Sequence, residues 1–280
     1  MISIIILSYN TQELLKNCLN SLFLHTQDVE VIVVDNDSKD GSAVMVKKEF
    51  PKVVLVENKE NVGFSKGCNI GAAQAKGEHL LFLNSDTEFV DRSTVDTMLA
   101  VLREKVGIVG GLMENPDGSL QRSFGAFYTL PHVAKMIFLG ERGELSGQNL
   151  KQKQATDWVS GGFMLVKRSV FEEVGGFDEQ IFMYVEDVDF CFRVKKAGYQ
   201  VLVAPLAKIK HIGHGSSNRT FAIVQIYKGL SYFYKKHKSS VEYLGLLSML
   251  RLKGYLAIFF GTIMRKPELV ARYKEALASV

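Results

Sequence analysis

The chain has 280 residues, of which 47% are apolar and 23% are charged. These proportions are typical of a soluble globular protein and argue against a disordered or low-complexity chain. Its three cysteines lie far apart without a CxxC pair, which argues against a disulfide framework or a structural zinc site and favours a reducing compartment. The N-terminal apolar run is too short for a secretion signal and has no basic start, so we expect a cytoplasmic protein.

Short apolar runs alternate with helical patterns over the first hundred residues. Strands are predicted at Ile2–Ser8, Glu30–Asp35, Lys52–Glu57, Glu78–Asn84 and Val106–Gly111, with helices at Thr11–His25 and near 40–50, 65–76 and 91–104. This order predicts an α/β fold in which crossover helices join parallel strands. Such sheets bind ligands beyond the carboxyl ends of their strands, so the polar segments after the first, second and fourth strands form the candidate site.

The turn after the first strand is Ser8-Tyr9-Asn10 and contains no glycine. A dinucleotide-binding protein would have G-x-G-x-x-G at this point, and the phosphate loop G-x-x-x-x-G-K-[ST] occurs nowhere in the chain. The sequence therefore argues against a dehydrogenase and against a phosphate-loop NTPase.

The second strand ends in Asp35, whose carboxylate could accept a hydrogen bond from the ring N–H of a pyrimidine base. The alternative is that Asp35 caps the following turn, which is the role we expect for Asp37, Ser38 and Asp40.

Glycines at positions 63, 67 and 71 are spaced four residues apart within a predicted helix. This spacing clears one helical face, either for close packing or for a nucleotide. Asn69 would then be a polar group on the nucleotide side or part of the helix packing.

The fourth strand ends abruptly in a polar segment, Asn84–Glu88, which contains Asp86. Carboxylates are ligands that suit Mg²⁺ or Mn²⁺, and these ions usually complete their coordination with substrate phosphate oxygens and water. The alternative for Asp86 is an ordinary cap of the next turn.

The segment from Asn115 to Asp157 has a looser pattern, with Gly and polar residues around Glu141–Asn149, and we expect it to be a mobile acceptor-side segment. Strand and helix patterning returns at Trp158–Phe171.

The acidic segment Tyr184–Arg193 predicts a helix whose first turn is rich in carboxylates. Glu186, Asp189 and Arg193 fall on one helical face and are expected to form an ion-pair cluster. Asp187 points elsewhere and has no opposite charge within one turn. A carboxylate among apolar and aromatic groups can have the raised pKa of a general base, although a purely structural role is the alternative.

Two histidines, His211 and His214, follow in the predicted Gly/Ser loop Lys208–Ser217. Each could be a solvent-exposed loop residue, or one could contact a metal or a phosphate.

From Lys208 onward the chain has 13 Lys and Arg residues against three acidic ones. This part contains an apolar run, Tyr243–Lys266, which Arg251 and Lys253 interrupt. We expect these two charges to leave too short a clean apolar segment to span a bilayer. The run is then expected to lie at an anionic membrane surface, the alternative being packing on its own domain or on a second copy. No nucleic-acid-binding motif accompanies the charge, so nucleic acid is not an expected partner.

Taken together and in this order, these segments resemble the family 2 glycosyltransferases of the GT-A fold, and more narrowly their rhamnosyltransferase-like branch. The resemblance implies a mostly parallel central sheet flanked by helices. It also implies an inverting transfer of a sugar from a nucleoside-diphosphate donor, dTDP-rhamnose or else a UDP-hexose, with Mg²⁺ or Mn²⁺ holding the diphosphate. The acceptor would be a hydroxyl of a cell-surface polysaccharide or a polyprenyl-linked glycan. A non-catalytic sugar-nucleotide or glycan-binding scaffold and a nucleotidyltransferase are the alternatives.

The resemblance runs from Ile2 to about Lys238 and implies a domain division. A GT-A domain would occupy 1–238, with a nucleotide-binding half at 1–111 and an acceptor-side half at 112–238. A basic amphipathic helical tail would follow at 239–280, at the inner face of the membrane.

The resemblance also implies roles for single residues. Asp187 would be the catalytic base, and Glu186 would assist acceptor placement. Asp86 would bind the metal with His211 as a further contact. The nucleotide would be bound by Ser8, Tyr9, Asn10, Asp35, Asn69 and Ser85.

Two positions depart from the family pattern. Asn84 replaces the first acid of the DxD motif, which leaves one carboxylate for the ion from this motif. Cys68 stands where many relatives have Arg, which puts a phosphate or base contact there in doubt. Both departures are typical of the rhamnosyltransferase-like branch.

Overall fold

The structure is a computed structural model that describes residues 1–139, 152–213 and 219–280. Its strands are β1 (Ile2–Ser8), β2 (Val29–Asp35), β3 (Val54–Glu57), β4 (His79–Asn84), β5 (Thr87–Phe89), β6 (Val106–Glu114), β7 (Phe124–Gly125), β8 (Gln154–Ala155), β9 (Trp158–Val159), β10 (Phe163–Lys167) and β11 (Gln200–His211). Its α-helices are α1 (Gln12–His25), α2 (Ser42–Glu49), α3 (Phe64–Gln74), α4 (Thr94–Val101), α5 (Leu130–Ala134), α6 (Arg168–Glu173), α7 (Glu186–Lys196), α8 (Arg219–His237), α9 (Ser240–Ile263) and α10 (Pro267–Ala278), and a π-helical turn spans Lys135–Leu139.

The central sheet has the strand order β3-β2-β1-β4-β10-β6-β11-β5, and β8 pairs with β11. β1 to β4 are parallel, as predicted from their apolar runs and the helices between them. β10 lies antiparallel between β4 and β6, so the sheet is mixed. β7 and β9 form a separate two-stranded ribbon.

The predicted loop at Lys208–Ser217 is partly wrong, because Lys208–His211 is the end of β11. Lys208 forms an ion pair of 2.7 Å with Glu114 at the end of β6, while the neighbouring Ile209 is buried. The alternation of charged and buried residues is therefore that of a strand. His211 is the last residue of β11, and His214 lies outside the described residues.

The segment Asn115–Asp157, predicted to be loosely patterned, contains β7, α5, the π-helical turn and β8. Its mobility stays a prediction, and Glu141–Asn149 lies outside the described residues.

The core has two apolar clusters, one on each face of the central sheet. The glycines of α3 allow this helix to lie close to the sheet. A Cβ at Gly67 would lie 2.4 Å from Leu7, and a Cβ at Gly71 would lie 2.5 Å from Ile5. Of the two alternatives for the glycine spacing, the structure shows close packing.

The C-terminal helices pack on the sheet domain. Leu246 and Leu250 of α9 and Ala276 of α10 are buried in one of the two core clusters, and Ser239 and Glu242 form a capping box at the start of α9. One side of α9 therefore packs on the sheet domain, which is the alternative given for the tail.

The other side of α9 is apolar and faces solvent. Its 24 residues give a length of about 36 Å, and by length and composition it is the one helix of the described residues that could cross a membrane, with a mean hydropathy of 1.4. The whole helix is long enough to cross a bilayer when its two internal cations are tolerated, whereas the expectation concerned the shorter clean segment that Arg251 and Lys253 leave. Length and composition alone do not distinguish a membrane span from a helix of a soluble protein. Large apolar side chains are exposed at Val241, Leu244, Leu252, Tyr255, Leu256, Phe259, Phe260, Ile263 and Met264.

Candidate active site

Asp35 ends β2 as a buried side chain with one free oxygen. Its Oδ2 accepts a hydrogen bond from the backbone N–H of Ser38 at 2.9 Å, so this carboxylate also shapes the turn that follows. Its Oδ1 is buried and has no hydrogen-bond partner among the described residues. An orphaned buried acceptor of this kind is costly unless a ligand supplies a donor, and a ring N–H of a base would do so.

The ends of β1 and β4 are joined by buried hydroxyl groups. The hydroxyl of Thr11 lies 3.0 Å from that of Ser8 and 3.0 Å from that of Ser85. The exposed Asn10 has a positive φ of 52° and ties the two turns together, because its Oδ1 accepts from the backbone N–H of Lys39 at 2.7 Å. The half-buried Tyr9 lies between Ser8 and Asn10.

Asn69 uses both ends of its amide in packing. Its Nδ2 donates to the carbonyl of Phe177 at 2.8 Å and to Glu179 at 3.1 Å, and its Oδ1 accepts from the backbone N–H of Phe177 at 2.9 Å. The contacts favour the packing alternative for Asn69, and we do not assign it to the nucleotide.

Asp86 and His211 meet at the edge of the sheet although 125 residues separate them in the sequence. The Oδ1 of Asp86 lies 3.2 Å from Nε2 of His211, and the amide of Asn84 lies 3.3 Å from the same ring nitrogen. The antiparallel pairing of β11 with β5 produces this proximity, since it places His211 opposite Thr87, next to Asp86.

Gln121 holds the imidazole of His211 in one orientation. Its Nε2 donates to the carbonyl of His211 and to Oδ1 of Asn115, each at 2.7 Å, which turns its Oε1 towards Nδ1 of His211 at 2.5 Å. Nδ1 is therefore the protonated nitrogen, and Nε2 faces Asp86. The same arrangement orients histidines that bind metals.

Asp86 and His211 fit an octahedral divalent ion. Adjacent ligand atoms about 2.1 Å from such an ion lie about 3 Å apart, close to the 3.2 Å between Asp86 Oδ1 and His211 Nε2. Across the described parts of the chain there is no group of three or more His, Cys, Asp or Glu side chains that could hold a metal. Further ligands would come from elsewhere, which is usual for Mg²⁺ and Mn²⁺ beside a substrate diphosphate.

Glu186 and Asp187 begin α7 after an unusual turn. Tyr184 and Val185 both have positive φ, of 65° and 71°, which is a strained conformation for a β-branched residue such as Val185. Helix α8 approaches this turn closely at Gly229, where a Cβ would lie 2.8 Å from the carbonyl oxygen of Tyr184. Gly229 therefore allows α8 to hold the turn in place.

Asp187 is the ionised member of the acid pair. Burial raises its pKa to about 6, while hydrogen bonds from the backbone N–H groups of Gly161 at 3.3 Å and Val188 at 2.8 Å favour its charged form. Burial also raises the pKa of Glu186 well above its usual range, and the negative charge of Asp187 adds to that effect. Oε2 of Glu186 is buried without a hydrogen-bond partner in the part of the chain that the structure describes. Near neutral pH the pair therefore holds a proton on Glu186 and a negative charge on Asp187.

The predicted ion-pair cluster of α7 was correct for Asp189 and Arg193 and wrong for Glu186. Asp189 is fully buried and lies 2.7 Å from Arg193, 2.9 Å from Lys236 and 2.7 Å from His237. Burial opposes the ionisation of Asp189, but these neighbours hold its pKa below the usual range. Two of them belong to α8, so the cluster fastens α7 to α8 behind the acid pair.

A glycine turn connects the acid pair to the Asp86 side of the site. Gly161 donates its N–H to Asp187, and the carbonyl of Gly162 accepts from the N–H of Asn84 at 3.1 Å. A Cβ at Gly162 would lie 2.7 Å from the side-chain amide of Asn84. A Cβ at Gly161 would lie 3.7 Å from the Cβ of Asp187. Two consecutive residues thus contact both halves of the site, and their lack of side chains lets this turn pack closely against Phe64 and Asn84.

Three comparisons with known proteins agree with this geometry. The family described as Glycosyl transferase family 2 matches residues 3–175, and the N-terminal domain of galactosyltransferase matches residues 144–215. The chain belongs to glycosyltransferase family 2. The GT-A fold and the likeness to the rhamnosyltransferase-like branch were therefore predicted correctly.

Two curated relatives are similar over most of their length. The N-acetylglucosaminyl-diphospho-decaprenol L-rhamnosyltransferase of Mycobacterium tuberculosis is 30% identical over 241 residues, which cover 78% of each chain. The rhamnosyltransferase WbbL of Escherichia coli is 27% identical, covering 79% of this chain and 86% of WbbL.

Two solved structures share the fold. GalNAc-T7 with UDP, GalNAc and Mn²⁺ has a TM-score of 0.63 at 17% identity, covering 84% of this chain and 49% of that one. The mannosyltransferase PcManGT of Pyrobaculum calidifontis, in complex with GDP-Man and Mn²⁺, has a TM-score of 0.58 at 18% identity, covering 99% of this chain and 74% of that one.

Proposed function

We propose that this family 2 glycosyltransferase moves a sugar, with inversion, from a nucleoside-diphosphate donor to a hydroxyl of a lipid-linked or polysaccharide glycan. The observation that carries the proposal is the Gly161–Gly162 turn, which contacts the Asp187 side and the Asn84 side of one site. A base and a binding site for a leaving diphosphate must flank the same anomeric carbon for such a transfer.

The acid pair supplies the proton chemistry. The carboxylate of Asp187 takes the proton of the acceptor hydroxyl while the hydroxyl oxygen forms a bond to the anomeric carbon. The bond from that carbon to the diphosphate breaks, and the nucleoside diphosphate leaves with the electron pair. Glu186, which keeps its proton, helps to place the acceptor. Base assistance of this kind contributes about 10²- to 10⁴-fold to the rate.

Asp86 and His211 would hold Mg²⁺ or Mn²⁺ through Oδ1 and Nε2. A bound divalent ion neutralises the charge that develops on a leaving diphosphate. Asp35 would accept the ring N–H of the base through its unpaired Oδ1, with Ser8, Tyr9 and Asn10 beside it. Ser85, which shares the buried hydroxyl cluster of Ser8, would support this end of the site.

The donor that we propose first is dTDP-rhamnose, and a UDP-hexose is the second candidate. Two curated relatives are named as rhamnosyltransferases, which supports this order. A thermal-shift screen of both sugar nucleotides with Mn²⁺ tests it, since a ligand that binds the folded state raises the melting temperature. Stabilisation by UDP-glucose with none by dTDP-rhamnose would reverse the order. If neither sugar nucleotide raised the melting temperature, that result would count against a transferase.

We further propose that α9 attaches the enzyme to the inner, cytoplasmic face of an anionic membrane. Its exposed apolar side chains support this, together with the exposed cations Arg251, Arg265 and Lys266 nearby. Replacing Phe259 and Phe260 by Ser should abolish flotation with vesicles that contain phosphatidylglycerol.

A matched control changes two exposed apolar residues far from the tail, Leu24 and Val44, to Ser and should float like the wild type. Point changes are preferable to truncation, because α9 and α10 bury Leu246, Leu250 and Ala276 in the core. If the wild type remained unbound while Phe259 and Phe260 proved to be needed for dimerisation, the surface would belong to a second copy.

A further inference from the structure

A cavity lies beside the ribbon of β7 and β9, and neither Asp86 nor His211 is among the residues that line it. Its volume is about 350 Å³, within the usual range for ligand pockets. Four titratable side chains line it, namely Arg122, His132, Asp157 and Lys195.

The charges in this cavity are unevenly matched. Lys195 pairs with Asp157 and also donates to the carbonyl of Thr156 at 3.2 Å. No carboxylate in the described part of the chain lies within ion-pair distance of Arg122. Its guanidinium instead lies 5.6 Å from the centre of the Trp158 ring and 3.2 Å from Nε2 of His132. Among the residues that the structure describes, Arg122 is therefore a positioned cation without a carboxylate partner of its own.

An arginine that is held in place without a carboxylate partner is well suited to bind a phosphate group. Its planar guanidinium offers several N–H donors in a fixed fork that matches phosphate oxygens. An aromatic ring beside the guanidinium limits its rotation, which reduces the entropy that binding an anion would cost.

The cavity is joined to the catalytic base by a short stretch of backbone. Ser160 donates its N–H to the carbonyl of Ser123, next to Arg122, at 2.7 Å, and Gly161 donates to Asp187 at 3.3 Å. Tyr128 lies nearby, with its ring 6.4 Å from that of Trp158. Burial and then the charge of Asp187 raise the pKa of Tyr128 to about 12, while Arg122 acts in the opposite direction.

The other side of the cavity leads to the tail. Helix α5, which supplies His132, packs on α9, where a Cβ at Gly245 would lie 3.0 Å from Leu130. The cavity thus lies beside elements that contact both Asp187 and α9.

We propose that this cavity binds the diphosphate of a lipid-linked acceptor, with Arg122 as its main ligand. This inference rests on the proposed function. The acceptor sugar would extend from the diphosphate towards Asp187, and the lipid would extend towards α9. A neutral acceptor has no group for Arg122, so the residue would select for a diphosphate-linked one.

Binding of geranyl diphosphate, a short lipid diphosphate without a sugar, tests the assignment without turnover. The donor site is first saturated with dTDP or UDP and Mn²⁺, and the affinity is then measured by calorimetry. Arg122→Gln should weaken binding about 10- to 100-fold, the usual effect of losing a hydrogen-bonded charge, and Arg122→Lys should weaken it less. Lys196→Gln, an exposed change on α7 outside the cavity, is the matched control and should bind like the wild type.

Two outcomes would overturn the proposal. Equal affinity of Arg122→Gln and the wild type would show that Arg122 does not bind the probe. Equal affinity of the wild type for inorganic pyrophosphate and for geranyl diphosphate would show a site for the free anion rather than for a lipid-linked acceptor. The melting temperature of each variant shows whether it is folded.

Kinetics separate this inference from the proposed function. Arg122→Gln should raise the KM for an N-acetylglucosaminyl-diphospho-lipid about 10-fold or more and leave the KM for octyl N-acetylglucosaminide and for the donor unchanged. Equal increases for both acceptors would refute a diphosphate site. If the wild type transfers sugar to neither acceptor, the proposed function fails, and the calorimetric comparison still decides the role of the cavity.

Discussion

Replacing Asp187 by Asn removes the proposed proton acceptor while it preserves the size and shape of the side chain. We expect kcat to fall by about 10²- to 10⁴-fold, the usual contribution of general-base catalysis. The donor should bind with unchanged affinity, because the residues proposed to hold it lie across the Gly161–Gly162 turn. In the wild type, kcat/KM should fall about tenfold per pH unit below pH 6, the pKa of Asp187. The residual activity of the variant should show no such decline.

The same change should not destabilise the protein. The pKa of Asp187 is raised from 3.8 to about 6 on folding, so the unfolded state loses its proton at lower pH than the folded state. Ionisation of Asp187 therefore lowers the free energy of unfolding progressively as the pH rises from 3.8 to 6. The full loss of stability remains above pH 6. Two pKa units correspond to about 3 kcal/mol as an upper limit. At about pH 7.5, above both pKa values, the variant should melt at the same temperature as the wild type or higher.

The assay is transfer of a radiolabelled sugar to an acceptor, measured together with donor binding by calorimetry. Asp96→Asn, an exposed change of the same type on α4, is the matched control and should leave transfer and binding unaltered. Undiminished transfer by Asp187→Asn would refute the base assignment. A lower melting temperature together with lost transfer would instead indicate a structural carboxylate.

Two further residues that support the site can be tested in the same way. Gln121→Ala frees the imidazole of His211 and should raise the Kd of Mn²⁺ by about 10- to 100-fold. The Kd is measured by electron paramagnetic resonance in the presence of the nucleoside diphosphate. An unchanged Kd would mean that His211 does not bind the ion through Nε2. Gly229→Ala places a methyl group 2.8 Å from the carbonyl oxygen of Tyr184, and it should lower the free energy of unfolding by about 1–3 kcal/mol and reduce kcat. Gly245→Ala, also a helical glycine beside a side chain, is its control, and equal effects of both changes on kcat would argue against a special role of the Tyr184–Val185 turn.

The sequence was sufficient for the parts of the fold that depend on local pattern. β1, β2 and β4 are rich in apolar residues. β1 and β2 end at Ser8 and Asp35, which were proposed for the site, and β4 ends at Asn84, directly before the proposed Ser85 and Asp86. The short strands β5, β7, β8 and β9 have two or three residues each, which is too few for a periodic pattern. Their formation depends on partners that are distant in the sequence. The end of β11 was missed for a related reason, since Lys208 is held in the strand by Glu114, 94 residues earlier.

Single candidate acids stand out in the sequence more clearly than the contacts that orient them. Asp35, Asp86 and Asp187 stand out in the sequence because each follows an apolar run or lacks a local partner. Gln121 gave no such signal, because its contact with His211 spans 90 residues. Glu186 was placed in the wrong pairing because helical spacing describes one helix alone, whereas α8 supplies Lys236 and His237 to Asp189.

The central claim is that Asp187 and the pair Asp86–His211 lie on two sides of one cleft that binds the donor. A crystal structure with Mn²⁺ and dTDP or UDP tests it most directly. We predict that Mn²⁺ is bound by Oδ1 of Asp86 and Nε2 of His211 and that the base donates its ring N–H to Oδ1 of Asp35. The Gly161–Gly162 turn should lie between the diphosphate and Asp187. Mn²⁺ bound at other side chains, or a nucleotide bound away from Asp35, would contradict the account.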